Sequence, residues 1–510
     1  MRHCFLGAAA ITAVLHFFAA LVYASDGALL AAAVKAQDWA AVASLLSRKT
    51  RVDVPLPDGT TALHWAVQWQ QADLVDMLLH AGAAVNAIDE YGVMPLWLAA
   101  INGSTAIVER LLRAGADQDA SIPSGETVLM VAARTGIPGA VNALLERGAR
   151  VNHVVTATGQ TALMWAAAEG HVEVVRALLR RGADVRARSK RGYTALLLAA
   201  RNPGLEIPRV LLSAGAGVND AAVDGTTALV VATIRSHTAV AKFLIEQGAD
   251  INRGPGFTPL HWASGYFGNT GVNGRMGLKD EDSEWARIEG LEGRAKLDFV
   301  RLLLDHGADV NARADVPPRA ESGDMGRSVI NASLGTREAV KFGATPFWLA
   351  ARVADVDVMR LLLQRGADAS IRTGRNVTPL MAAAGVGAGA GSNGIPETKA
   401  VEAVRICLES GNDINTANID GETALHGAAY RTPQPADNLI QFLVVNGANI
   451  NVKNKRGWTP LAIVEGLYFN GSYTLSKSAA ALLLSMGADP TPEGSVDRQV
   501  ATLNVGVVNR

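Results

Sequence analysis

Between Thr161 and Val185 the chain reads TALMWAAAEGHVEVVRALLRRGADV. Apolar residues recur there in two short runs at helical spacing, parted by the polar stretch Glu169-Gly170-His171. The pattern predicts two short helices, the second closed by Gly182 in the left-handed conformation that glycine adopts without strain. A segment this thin cannot bury enough apolar surface to fold alone, so its apolar flanks must rest on something else.

The same pattern recurs along the chain. The glycine two residues before each T-x-L stands at 59, 92, 125, 159, 192 and 225, with successive steps of 33, 33, 34, 33 and 33. It continues at Gly256, Gly343, Asn376, Gly421 and Gly457, giving eleven units. Threonine follows in ten of the eleven, Met94 excepted, and leucine in ten, Phe347 excepted. Threonine at that place is a helix N-cap, and Pro95, Pro259, Pro346, Pro379 and Pro460 then occupy the first helical position, where a missing N–H costs nothing. Small residues such as Ala66, Ala99, Ala132 and Ala166 allow close approach of neighbouring first helices, while pairs such as Leu78-Leu79 and Leu178-Leu179 give the second helix an apolar face. Each unit is therefore expected to bury its open faces against the units before and after it.

A 33-residue period with T-P-L-H-x-A and LLxxGADVN resembles the ankyrin repeat, over about Asp58 to Asp489. The resemblance implies an all-α repeat solenoid of stacked helix-turn-helix repeats joined by short hairpin loops. Residues 25–57 resemble a degenerate capping repeat, 58–255 hold regular repeats one to six, 256–489 hold repeats seven to eleven, and 490–510 form a tail without the pattern. The span from opening to closing glycine is 23 in each of the first six repeats but 51 in repeat seven, 35 in repeat nine, 26 in repeat ten and 30 in repeat eleven. Insertions are placed at 265–296, 314–342 and 385–400, where they are expected to form partner-contacting loops.

In the ankyrin family the first helices line a concave surface across which partners lie. Carried over repeat by repeat, the resemblance assigns partner contact to Trp69, Asn102, Arg134, Glu169, Arg201, Asn202, Arg235, Tyr266, Arg352, Tyr430 and Arg431. Five arginines against the single acid Glu169 suggest a carboxylate-rich partner surface. Trp65, Trp165 and Trp262 are read as filling between helices, and His64, His261 and His426 as members of a hydrogen-bond network between repeats, not as metal ligands.

Composition narrows the rest. With 49% hydrophobic residues and a formal charge of −1, the chain is too apolar for disorder, and charge gives no argument for nucleic acid or an anionic membrane surface. Arg2, the apolar run after it and Val22-Tyr23-Ala24 before Ser25 read as a signal peptide over 1–24, with an uncleaved anchor as the alternative, placing the mature chain in the periplasm or outside the cell. Only Cys407 would remain after cleavage, read as a buried helix residue. Residues 389–394 match G-x-G-x-x-G, but no strand is expected before them. The acidic run 279–284 lacks the glycine and final acid of a calcium loop. No H-E-x-x-H, paired-cysteine or G-x-S-x-G spacing occurs. The sequence thus points to an exported, monomeric, non-catalytic scaffold for a protein partner, without cofactor or metal and without membrane attachment beyond the export signal. The alternatives are an enzyme whose site uses the inserted loops of repeats seven and eight, or a secreted effector that binds a host protein.

Overall fold

Threonine caps begin the first helices as the pattern predicts. In a computed structural model that describes residues 27–265, 291–315, 342–386, 395–431, 436–469 and 472–491, Thr161 Oγ1 accepts from the Met164 N–H at 3.3 Å at the head of helix Ala162–Glu169. Thr127, Thr194, Thr227, Thr345, Thr378 and Thr459 do the same for their helices. Repeat two, with Met94 in place of threonine, has no side-chain cap and starts directly on Pro95. Helices of five to nine residues are unstable in isolation, so tertiary packing must hold them.

That packing follows the small residues. Ala66, Ala99, Ala132 and Ala166 are fully buried between adjacent first helices. Of the pairs Leu78-Leu79 and Leu178-Leu179 only the first leucine is fully buried; Leu79 and Leu179 are half-buried, because successive helical positions diverge by about 100°. The two recurring turn types use glycine differently. Gly182 (φ 81°) faces open space, so its backbone conformation alone selects glycine. At Gly159 (φ 75°) an added Cβ would also lie 2.6 Å from the Lys190 nitrogen of the next turn.

Within each unit, a second tie joins several of the repeats to the next, four residues after the closing glycine. Asn152 Nδ2 donates to the Gly182 carbonyl at 3.0 Å, and its Oδ1 accepts from the Asp184 N–H at 2.8 Å. Asn86 bonds Gly115 and Asp117 in the same way. Asn252 bonds Gly307 and Asp309, Asn311 bonds Gly366 and Asp368, and Asn415 bonds Gly447 and Asn449. Where Arg186 replaces the asparagine, its Nε still reaches the Gly215 carbonyl at 3.0 Å. The Asn252 and Asn311 ties cross the long insertions, so stacking continues past them.

The chain forms an all-α repeat solenoid, in two compact units, Met1–Val223 and Asp224–Arg510. The first contains helical residues 27–35, helix Trp39–Ser47 and five helix pairs; the second contains six pairs. The division falls at the start of repeat six, one repeat before the first long insertion. Helices Gly293–Asp305 and Glu397–Glu409 begin inside two spans marked as insertions from spacing, so residues 293–296 and 397–400 belong to the repeats themselves. Lys296 is buried there, its Nζ 2.7 Å from Asp355, the N-cap of helix Val356–Gln364 in the following repeat. The extra residues of repeat eleven form an antiparallel ribbon, Glu465–Phe469 with Ser472–Leu475, between its two helices. Residues 1–24, expected from sequence to be a signal peptide, and most of the inserted and tail residues lie outside the described residues.

Replacing Asn152 with alanine leaves one carbonyl and one N–H without their partner, and is expected to destabilise the chain by about 1–2 kcal/mol. Urea unfolding of the variant against the parent checks this; an unchanged midpoint would show that the asparagine ties are decorative.

Candidate binding surface

The first helices meet at their starts through histidine. The Thr61 N–H donates to His64 Nδ1 at 3.1 Å, which leaves the proton on Nε2, and Nε2 donates to the Val93 carbonyl of the next repeat at 3.2 Å. Thr258, His261 and Ala344 repeat this arrangement, as do Thr423, His426 and Trp458. Burial lowers the pKa of all three imidazoles, that of His261 to about 4. Both ring nitrogens of each are committed to the cap and to the neighbour. Trp348 stands at the histidine place in repeat eight, fully buried, and its indole N–H donates to the Val377 carbonyl at 3.1 Å. Trp97 holds the corresponding place in repeat two, but its indole N–H has no hydrogen-bond partner.

At the far ends of the first helices, the residues assigned to partner contact divide. In the unit Met1–Val223, Asn102 Nδ2 donates back to the Val67 carbonyl at 3.4 Å, and Asn202 Nδ2 to the Ala168 carbonyl at 2.8 Å. Thr135 reaches the Ala100 carbonyl likewise at 3.2 Å. These side chains brace one repeat on the previous one. Trp69 is half-buried and stacks on Trp65 with centroids 6.1 Å apart, and its N–H is also without a partner. Arg134 is exposed, its guanidinium 4.9 Å from the centre of the Trp165 ring in the next repeat. Glu169 is exposed and Arg201 half-buried.

In the unit Asp224–Arg510, Arg235 and Arg352 are half-buried at first-helix ends, Arg352 lying 5.6 Å from the Trp348 ring centre. Arg431 departs from the expectation of a surface contact: it is 7% exposed, and Nη2 donates to the Ile395 carbonyl at 3.0 Å. The chain returning from the repeat-nine insertion at Ile395 covers it. Burial lowers the Arg431 pKa, against the opposing charge of Glu397. Tyr430 is half-buried, its hydroxyl facing Glu422 and Asn454, and the hydroxyl pKa is driven up by burial and then by Glu422. Burial also raises the Glu422 carboxyl, although Asn418 Nδ2 donates to it at 3.0 Å. Tyr266 lies outside the described residues, as do the segments 279–284 and 389–394.

Sequence reasoning missed an aromatic strip. Trp262 is core, at 7% exposure, but Trp65 and Trp165 are half-exposed, with Trp97 also half-exposed and Ile101 exposed. The signal was present in the spacing: Trp65 and Trp69, Trp97 and Ile101, Trp165 and Glu169 are each four residues apart and share a helix face. Cys407 is fully buried, and burial pushes its thiol pKa well above the ordinary value. Among the described residues no helix is long and apolar enough to cross a membrane, and no three acids, histidines or cysteines cluster as metal ligands would.

The family described as ankyrin repeats (3 copies) matches residues 85–155, 151–222 and 198–272, and the single ankyrin repeat matches 58–90, 342–374 and 420–455. Together these matches cover more than half of the chain. The chain is 28% identical to the E3 ubiquitin-protein ligase KEG of Arabidopsis thaliana over 179 residues, 34% of this chain and 9% of that protein. It is 33% identical to the RelA-associated inhibitor of Mus musculus over 113 residues, 20% of this chain and 13% of that protein. It is 34% identical to the ankyrin repeat and KH domain-containing protein mask of Drosophila melanogaster over 107 residues, 21% of this chain and 2% of that protein. The chain thus spans only a small fraction of each of these relatives.

The buried histidines carry a pH dependence whose sign is fixed. Folded His261 titrates near 4 and an unfolded histidine near 6.5, so between these values the unfolded chain binds more protons and acidification destabilises the fold. Stability is therefore expected to fall as pH drops from about 6.5 towards 4. In His261→Gln the slope of stability against pH in that window should lessen by about one proton, measured by urea unfolding at stepped pH; an unaltered slope would contradict the assignment.

Proposed function

We propose, from the premise that the chain belongs to the ankyrin-repeat family, that it is an exported, monomeric, non-catalytic scaffold whose first-helix surfaces bind a protein partner rich in carboxylates. The observation that carries this reading is a division of labour along the first helices. His64, His261 and His426 and the braces from Asn102, Thr135 and Asn202 complete the contacts between repeats. Trp69, Arg134 and Arg201 in one unit, and Arg235 and Arg352 in the other, are left at least partly open to solvent. Arginine and tryptophan combine contact area with directional bonding, and this pair of residue types dominates measured interface energetics. The name RelA-associated inhibitor records association for one relative, which fits a binding role for the shared repeats. Export rests on the character of residues 1–24.

The test is cross-linking of the tagged mature chain in its native compartment, followed by affinity measurement with the captured protein. Replacing Arg201 and Arg235 by glutamate, one in each unit, is expected to weaken binding by about tenfold or more. Unchanged affinity would remove the arginines from the interface, and an N-terminus of the mature protein still at Met1 would end the cleaved-signal reading.

A further inference from the structure

The edge of repeat four carries a charge that stacking does not need. From Arg180 to Arg191 the chain reads RRGADVRARSKR, six cations and one acid, in a protein whose formal charge is −1. All six cationic side chains are exposed. They run from the C-terminal end of helix Val172–Arg180, through the closing loop, to the turn before Gly192. The helix dipole favours Arg180 and Arg181 at that end, but its reach stops within a turn. Arg186, Arg188, Lys190 and Arg191 lie four, six, eight and nine residues past the closing glycine, Gly182. At those four places repeats one, two and three hold no lysine or arginine.

Contacts between repeats explain little of this charge. Asn86 and Asn152 tie their repeats to the next with a neutral amide, so the bond from Arg186 Nε to the Gly215 carbonyl at 3.0 Å does not require a cation. Arg188 Nη1 donates to the Ala221 carbonyl at 2.9 Å and Nη2 pairs with Asp220, yet Ile88, Ser121 and Val154 serve at its place in repeats one to three. Asp184, the single acid of the run, accepts from the Arg186 N–H at 2.9 Å. Among the described residues the side chains of Arg180, Arg181 and Lys190 have no ion pair. Crowded like charges repel one another and weaken a fold unless an anion neutralises them.

Building on the protein-binding reading, we propose that this edge of repeat four is a second contact surface, and that it holds an acidic stretch of the partner protein. Five of the six cations are arginines, whose planar forks match carboxylates through paired hydrogen bonds. The shape of the field selects the occupant. A bilayer, or any broad anionic plane, would meet the neighbouring turns as well, where repeat one presents exposed Glu90 and repeats two and three present no charge. A narrow segment meets the cations alone. No exposed apolar side chain stands among them, so nothing is offered to a lipid interior. Exposed Arg147 holds the place of Arg181 in repeat three, while Arg186 and Arg188 reach over repeat five. Two steps between repeats, each about 10 Å, match an extended segment of about six residues.

A Glu-rich peptide of about eight residues and its Gln counterpart test this against the full mature chain by fluorescence anisotropy. The Glu peptide is expected to bind at least about tenfold more tightly, and less tightly as salt is raised. Arg186→Asn with Arg188→Ser and Lys190→Thr gives repeat four residues that its neighbours carry at these places, so the tie to Gly215 survives while three charges go. This variant is expected to weaken the Glu peptide about tenfold with an unaltered urea midpoint, and Lys190→Thr alone gives a smaller loss in the same direction. Lys399→Gln with Lys453→Gln and Lys455→Gln, an equal loss of charge in the other unit, should leave binding as it was. Equal binding of the two peptides, indifference to the repeat-four substitutions, or the same loss in the lysine variant overturns the proposal. Tighter binding to phosphatidylglycerol vesicles or to duplex DNA than to the Glu peptide, at the same salt, overturns it too. A captured partner that depends on Arg201 and Arg235 but ignores the repeat-four substitutions overturns it as well, yet leaves the scaffold reading standing. If neither peptide nor protein binds, both fall.

Discussion

Contact between successive repeats is the constraint on which everything else in this chain depends. A helix pair such as Ala162–Glu169 with Val172–Arg180 has almost no interior of its own. Its alanines and leucines become buried only when another pair lies on each side. The polar groups then follow the same logic. The carbonyl of a closing glycine such as Gly182 and the N–H two residues later would be left half-desolvated by stacking, and the asparagine of the previous repeat, Asn152 here, satisfies both at once. The histidine network does this at the other edge of the interface, which is why its rings are neutral and unavailable to a metal.

Departures from the repeat are tolerated where a substitute preserves that contact. Trp348 replaces histidine and keeps the bond to the next repeat, and Arg186 replaces asparagine and keeps the bond to Gly215. Insertions fall between the two helices of repeats seven and nine, and between repeats seven and eight, and leave the ties from Asn252 and Asn311 in place. Repeat two departs from the pattern at two places. It lacks the threonine cap, and its Trp97 makes no bond across the interface.

Much of the fold was legible in the sequence because the signals are local. Threonine, proline and glycine act within a few residues of themselves, and a period of 33 exposes their repetition. The surface was only half legible. Helical spacing identifies which face Trp69, Arg134 and Glu169 occupy, but not that Asn102 and Asn202 turn back to carbonyls 35 and 34 residues earlier. Those acceptors are backbone atoms, and any sequence supplies them. The burial of Arg431 was hidden for a related reason: it depends on where the chain re-enters at Ile395 after an insertion, which composition does not fix. The ribbon Glu465–Phe469 with Ser472–Leu475 occupies extra length that spacing revealed without revealing its form.

Function on this account is a by-product of stacking. Once the repeats satisfy one another, the side chains at the first-helix ends are held in register on a rigid support, and binding them costs little ordering entropy. The most direct measurement is residue-resolved hydrogen exchange on a chain with Ala132, fully buried between first helices, replaced by leucine. The account predicts that protection falls not only in repeat three but also, in diminishing degree, in the helices of repeats two and four. Loss confined to repeat three, with its neighbours as protected as before, would mean that each helix pair holds itself together and would contradict the claim.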